Sequence, residues 1–197
     1  MKRILVLLAV LLMIGTSICF AEEAQFDPNV LAELDGYSYD RFEKSWSYYG
    51  AYLMQYTDAT VVVGVKASGN KEYLEPVYIY AWVRDASNMK VYSVVKELMI
   101  LADDTLITIP MMEFDASSGM FITPSSNEVL NIIGNAKQLA FKLVLDVGSV
   151  TLEPAASEVA EFTAVARNIY AHNIASYVRF DDATLKYLEE TYPITVE

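Results

Sequence analysis

His172 is the only histidine in the 197 residues, so a serine triad or an imidazole general base would have to run through it. A hydrolase triad on an α/β frame also needs a Gly-x-Ser-x-Gly elbow, and the chain contains none. A zinc site built on one histidine would take carboxylates as its other ligands, because the single cysteine, Cys19, sits in the N-terminal segment. His172 therefore reads as an ordinary residue at the edge of a helical apolar stripe. The acidic pairs Asp103-Asp104, Asp181-Asp182 and Glu189-Glu190 lack the alternating carboxylates and glycine of a calcium loop. They read as a turn, a helix cap and a solvated face. Two carboxylates suited to glycoside hydrolysis are defined by their spacing in space. Among 26 acidic residues such a pair has no diagnostic weight, so a carboxylate-based hydrolase is the outside reading. Phosphate loops and dinucleotide fingerprints are absent. The sequence assigns no catalytic residue, no metal ligand and no cofactor.

The residues that point to binding are aromatic. In Val77–Arg84 one strand face carries Val77, Ile79, Ala81 and Val83, and the other carries Tyr78, Tyr80, Trp82 and Arg84. The aliphatic side is the core side. The aromatic side is apolar in bulk and polar at its tips, and Trp46, Tyr48 and Tyr52 from a neighbouring strand are expected to extend it. These six residues are the candidate ligand-binding set. Helices normally cover such a face, so a second core beneath the late helices has the stronger physical warrant. The functional reading is a surface where flat rings stack on a glycan or a peptide.

The elements that must position these residues are mostly strands. Trp46 to Tyr56 is rich in aromatics, which favours a strand from Ser45. Thr60–Ala67 follows with Val61, Val63 and Val65 in alternation, and Ser68–Lys71 reads as a loop. Val77–Arg84, Val91–Ala102, Thr105–Ile109 and Met120–Thr123 read as further strands. At Pro124-Ser125 the period changes. Ser125 and Glu128 have capping-box spacing, and Val129, Ile132, Ile133 and Ala136 make one apolar helical face. Gln138–Pro154 then reads as a hairpin with Val147-Gly148 as a two-residue loop. That loop sets Leu145 opposite Val150 and Leu143 opposite Leu152, all on one buried face. The longest helical pattern follows Pro154, with Val159, Phe162, Val165, Ala166, Ile169 and Tyr177 on one side. Asp181 or Asp182 is placed to cap a last helix. The predicted fold class is α+β, mainly antiparallel β, a sheet or sandwich of about eight strands with one medium and one long helix in the C-terminal half. A short helix is expected from Asp27-Pro28 through Leu34, but no helix between strands is visible before Ser125, as a parallel α/β design would need.

Residues 1–21 have the layout of a secretory signal peptide: Met1-Lys2-Arg3, an apolar run from Ile4 to Ile14, then smaller residues with Ala21 at the cut. The run is short for a membrane span. Ile18 before Cys19 fits poorly with lipid attachment at that cysteine. The expected remainder, 22–197, is one globular domain, with 22–36 as entry segment and 181–197 as a helical tail. Cleavage removes Lys2 and Arg3 from 14 basic residues and none of the 26 acidic ones, so the net charge goes from −12 to −14. Such a surface argues against nucleic acid and anionic membranes. No disulfide is available to the mature chain, so its core must hold it. The sequence is thus read as an exported bacterial protein, periplasmic or extracellular. It is expected to be a non-catalytic binding or interaction module for a glycan, a peptide or another envelope protein. The alternative is a structural or assembly partner of an envelope protein.

Overall fold

The computed structural model describes residues 26–70, 74–87, 91–115, 120–177 and 180–197. The expected signal peptide at 1–21 and the turn at Ser117–Gly119 lie outside the described residues. In chain order come β1 (Tyr37–Asp40), β2 (Ser45–Gln55), β3 (Ala59–Asn70), β4 (Tyr78–Asp85), β5 (Val91–Ser93), β6 (Val95–Ala102), β7 (Thr105–Pro110), β8 (Met112–Asp115) and β9 (Met120–Pro124). Helix α1 (Asn127–Asn135), β10 (Leu139–Leu145), β11 (Gly148–Leu152), α2 (Ala156–Ala171), α3 (Asp182–Thr191) and β12 (Thr195–Val196) complete the order. Short 3-10 turns occupy Pro28–Leu31 and Ile174–Tyr177.

Two antiparallel sheets form, so the predicted α+β, mainly antiparallel class is observed. Seven strands make one sheet in the order β1-β2-β3-β4-β9-β8, with β5 also paired to β4. Five make the other, in the order β11-β10-β6-β7-β12. The strands beyond the expected eight are mostly β1, β5, β8 and β12, each of four residues or fewer. Such lengths are too short for an alternation to register. No helix among the described residues is long and apolar enough to cross a membrane.

The core lies between the sheets. From the seven-stranded sheet it takes Val61, Val63 and Val65 on β3 with Ile79, Ala81 and Val83 on β4, set side by side by the register. From the five-stranded sheet it takes Leu98 and Ile100, Ile107 and Ile109, Phe141 and Leu143. Tyr52 and Phe141 meet across the gap with ring centroids 6.0 Å apart, and Phe162 of α2 sits edge-on to Phe141 at 5.3 Å. Helix α2 reaches the seven-stranded sheet at Gly50, where an added Cβ would lie 2.8 Å from Val165 Cγ2.

The hairpin β10–β11 has a different register from the one expected. The loop is Asp146-Val147, so Leu145 pairs with Gly148, Leu143 with Val150 and Phe141 with Leu152. The shift is two residues, which keeps every side chain on its predicted face. Its cause is local. Gly148 has φ 139°, a conformation L side chains rarely adopt, so the chain completes its reversal there. Asp146 in turn is held from outside the hairpin: its carboxylate accepts from Ser93 Oγ and Val94 N, and its own N–H donates to Val94 O.

That same contact corrects the reading of Val91–Ala102 as one strand. Val91–Ser93 belongs to one sheet and Val95–Ala102 to the other, with the chain crossing at Val94. Alternation is unbroken through the crossing, since Ser93 and Val95 are buried and Val94 is exposed, so no sequence signal marks it. The hydrogen bond from Ser93 holds the Asp146 carboxyl below the ordinary aspartate value of 3.8, against the opposing effect of desolvation. A depressed folded-state value means the contribution is fully present above the unfolded value and is lost as pH falls through the folded one. Acid unfolding of Asp146→Asn, followed by circular dichroism, should therefore show less loss of stability below pH 3.8 than the parent chain. Equal slopes would mean that the carboxylate contributes nothing at the crossover.

Other boundaries also differ. Ser68–Asn70 continues β3 and is not a loop, because Trp46 pairs with Gly69 and Ser45 with Asn70. The cap of α1 is Ser126, whose Oγ accepts from Val129 N at 3.3 Å. Ser125 is tied to the start of β4 by its N–H to Val77 O at 2.7 Å, which delays the helix by one residue. Glu158, exposed at the start of α2, accepts from Ala155 N and closes the first turn. Asp181 caps α3 by accepting from Thr184 N. Tyr177, expected on the long helix, falls in the 3-10 turn after it.

Candidate functional site

The six candidate aromatics are not on one face. Tyr52 pairs with Val63, and Val63 pairs with Ala81, so Tyr52 shares the core side with the aliphatic residues of β4. Trp46 and Tyr48 follow the same parity, opposite Gly69 and Ala67. All three are buried. Tyr48 accepts a hydrogen bond from Asn168 Nδ2 at 2.8 Å, which ties β2 to α2. Burial raises its hydroxyl pKa, and the bond to Asn168 opposes that shift. Tyr52 packs on Phe141. Tyr48 and Tyr52 are thus core residues. The expectation that Trp46, Tyr48 and Tyr52 extend the face of Tyr78, Tyr80 and Trp82 is corrected. The reason is that β2 is apolar on both faces, with Tyr49, Ala51 and Leu53 opposite the buried set, so its composition does not say which side is inward.

Tyr78, Tyr80 and Trp82 lie on the outer face of the seven-stranded sheet. The long helix packs on the opposite face, at Gly50, so the expectation that it would cover these rings is also corrected. Tyr80 reaches across the sheet over Gly64, its cross-strand partner. A Cβ at Gly64 would lie 2.1 Å from Tyr80 Cζ and 2.4 Å from its hydroxyl oxygen. The missing side chain at Gly64 is what lets the ring lie over β3. Burial, followed by the neighbouring Tyr49, pushes the Tyr80 hydroxyl up to about 12. Tyr78, next to Lys66 in register, is raised by burial and then by Glu75. Trp82 carries the Arg84 guanidinium 4.5 Å above its ring. All three rings are half-buried. Beside them on β2, Tyr49 is 47% and Leu53 54% exposed.

Along the same face the rings give way to polar groups. The register puts Ser38, Ser47 and Ser68 in one row across β1, β2 and β3. With Asp40, Lys66 and Glu75 they line a hollow of about 210 Å³. Ser68 Oγ donates to the Glu75 carboxylate. The next row along is Tyr49, Lys66 and Tyr78, and the one after it holds Gly64 with Tyr80. Sequence reasoning missed this row. Its visible trace is serine alternating with aromatics at Tyr37-Ser38-Tyr39 and Ser45-Trp46-Ser47; Ser68 and Glu75 join through strand pairing alone.

A larger cavity of about 560 Å³ opens on the other side of the β1–β2 hairpin. Phe26, Tyr37, Tyr39, Lys44 and Trp46 line it, with Phe26 and Trp46 rings 5.4 Å apart. Trp46 is therefore a buried candidate that borders open space.

His172 ends α2 as a half-buried residue beyond its last turn. Asp103 adopts φ 51° in the β6–β7 turn, and its carboxylate accepts from Lys137 N and Gln138 N. Among the described residues no three His, Cys, Asp or Glu side chains gather at metal-binding distances. No family model, curated protein or solved structure matches this chain.

Proposed function

We propose that this chain is an exported, non-catalytic binding module whose ligand lies across Tyr78, Tyr80 and Trp82. The observation that carries this reading is the position of these rings outside the core, beside the exposed Tyr49 and Leu53. Rings with polar tips on an open sheet face offer stacking area and hydrogen bonds together, the combination used to hold glycans and peptides. Residues 1–21 support export, to the periplasm or the cell exterior.

The test separates surface from core before it asks for a ligand. Ile79→Ala empties a fully buried site and should lower stability by about 2–5 kcal/mol. Trp82→Ala and Tyr80→Ala should lower it less, since both rings are partly exposed. Thermal melts of the three variants check the order. Glycan arrays and a peptide library then supply ligands. Tyr80→Ala and Gly64→Ala should both weaken capture about tenfold or more while keeping a cooperative melt, the second by forcing the Tyr80 ring off β3. Capture undiminished in both variants would sink the proposal.

A further inference from the structure

We infer that the ligand of this face is a neutral oligosaccharide, with one end in the hollow lined by Ser38, Ser47 and Ser68 and the following rings stacked towards Tyr80. This rests on the binding role proposed above and names its ligand class. A peptide that binds a sheet through its main chain needs an unpaired edge strand. Here β2, β3 and β4 are paired on both sides, so a main-chain peptide would have to add at the edge strand β1, away from Tyr80. The side chains in the hollow are hydroxyls, two carboxylates, one ammonium, the Asn70 carboxamide and the Trp46 indole. A sugar hydroxyl both donates and accepts, and this set answers both. Asp40 and Glu75 outnumber Lys66, and the whole chain carries −12, so uronic, sialic or phosphorylated sugars meet repulsion.

The spacing also fits a chain of rings. Ser47, Tyr49 and Ala51 alternate along β2, and Ala51 stands opposite Gly64, over which the Tyr80 ring lies. Each two-residue step advances roughly 7 Å, so the hollow and the Tyr80 row are roughly 14 Å apart. An oligosaccharide of a few rings spans that distance, with the Tyr49–Lys66–Tyr78 row beneath its middle.

The experiment is calorimetric titration of the mature chain with cello-, chito-, manno-, malto- and xylohexaose, and with hexagalacturonate as the acidic counterpart. At least one neutral hexasaccharide should bind, and hexagalacturonate should not. Tyr80→Ala should weaken binding about tenfold or more, as loss of a stacking aromatic does. Ser47→Phe fills the hollow and should weaken the same ligand by about tenfold or more at an unchanged melting temperature. Ser47→Gln is the second variant should the phenylalanine disturb the sheet. Failure of every neutral hexasaccharide to bind, or preference for hexagalacturonate, overturns the inference. So does full affinity in both Ser47 variants where Tyr80→Ala has lost it, a result that leaves the face itself as a binding surface. Binding unchanged by Tyr80→Ala and Ser47→Phe alike removes the binding role of the face as well.

Discussion

Leu143→Asp should leave the chain without a cooperative fold. Leu143 is fully buried at the centre of β10, paired with Leu98 on β6 and Val150 on β11, and Ile109 continues the row on β7. Nothing in that row can donate a hydrogen bond to a carboxylate through its side chain. An ionised aspartate there would stand unpaired among aliphatic groups, and an uncompensated buried charge typically removes about 3–5 kcal/mol. Small domains have only about 5–15 kcal/mol in hand. With a single cysteine the chain can form no internal disulfide to retain a damaged core, which makes the loss harder to absorb. The expected readouts are insoluble expression or a flat melt, against Leu143→Met, which should cost less than about 1.5 kcal/mol. A melting temperature equal to that of the parent would show that Leu143 does not face the core.

Phe141→Ala should lower stability by about 3–5 kcal/mol, the usual loss for a buried large aromatic. Its ring stands where three layers meet: Tyr52 of the seven-stranded sheet stacks on one side, and Phe162 of α2 meets it edge-on. The cavity left behind would be walled by two sheets and a helix. These elements are held by their own ladders and cannot all collapse inward at once. Chemical denaturation of the variant checks the magnitude. Phe141→Leu should recover most of the loss, because aliphatic volume still fills the gap. A penalty below about 1 kcal/mol would mean that the sheets are free to close over the space.

The strands and helices were legible because their signals are local. Alternation of Val61, Val63 and Val65, or of Leu139, Phe141, Leu143 and Leu145, needs only a chain that buries one face. The change of period after Pro124 likewise marked α1, and the hairpin faces survived a two-residue error in register because a shift of two preserves parity. The Asp103-Asp104 turn was legible from residue type, although the bonds from its carboxylate to Lys137 N and Gln138 N were not.

The candidate site depended on parity between strands, which no single strand states. Val77–Arg84 declared its own aliphatic and aromatic sides. In contrast, β2 has Trp46, Tyr48 and Tyr52 on one face and Tyr49, Ala51 and Leu53 on the other, both apolar enough to be buried. Either face would satisfy the hydrophobic effect taken strand by strand. The choice was made by the partners. Gly50 admits Val165 of α2 on one side, and Gly64 admits the Tyr80 ring on the other. With those two contacts in place the first aromatic set faces Phe141 and Asn168, while Tyr78, Tyr80 and Trp82 are left outside. The serine row has the same origin. Ser38, Ser47 and Ser68 are scattered along the chain, and only antiparallel pairing of β1, β2 and β3 sets them side by side, because register is a relation between strands and each strand's sequence specifies only its own two faces.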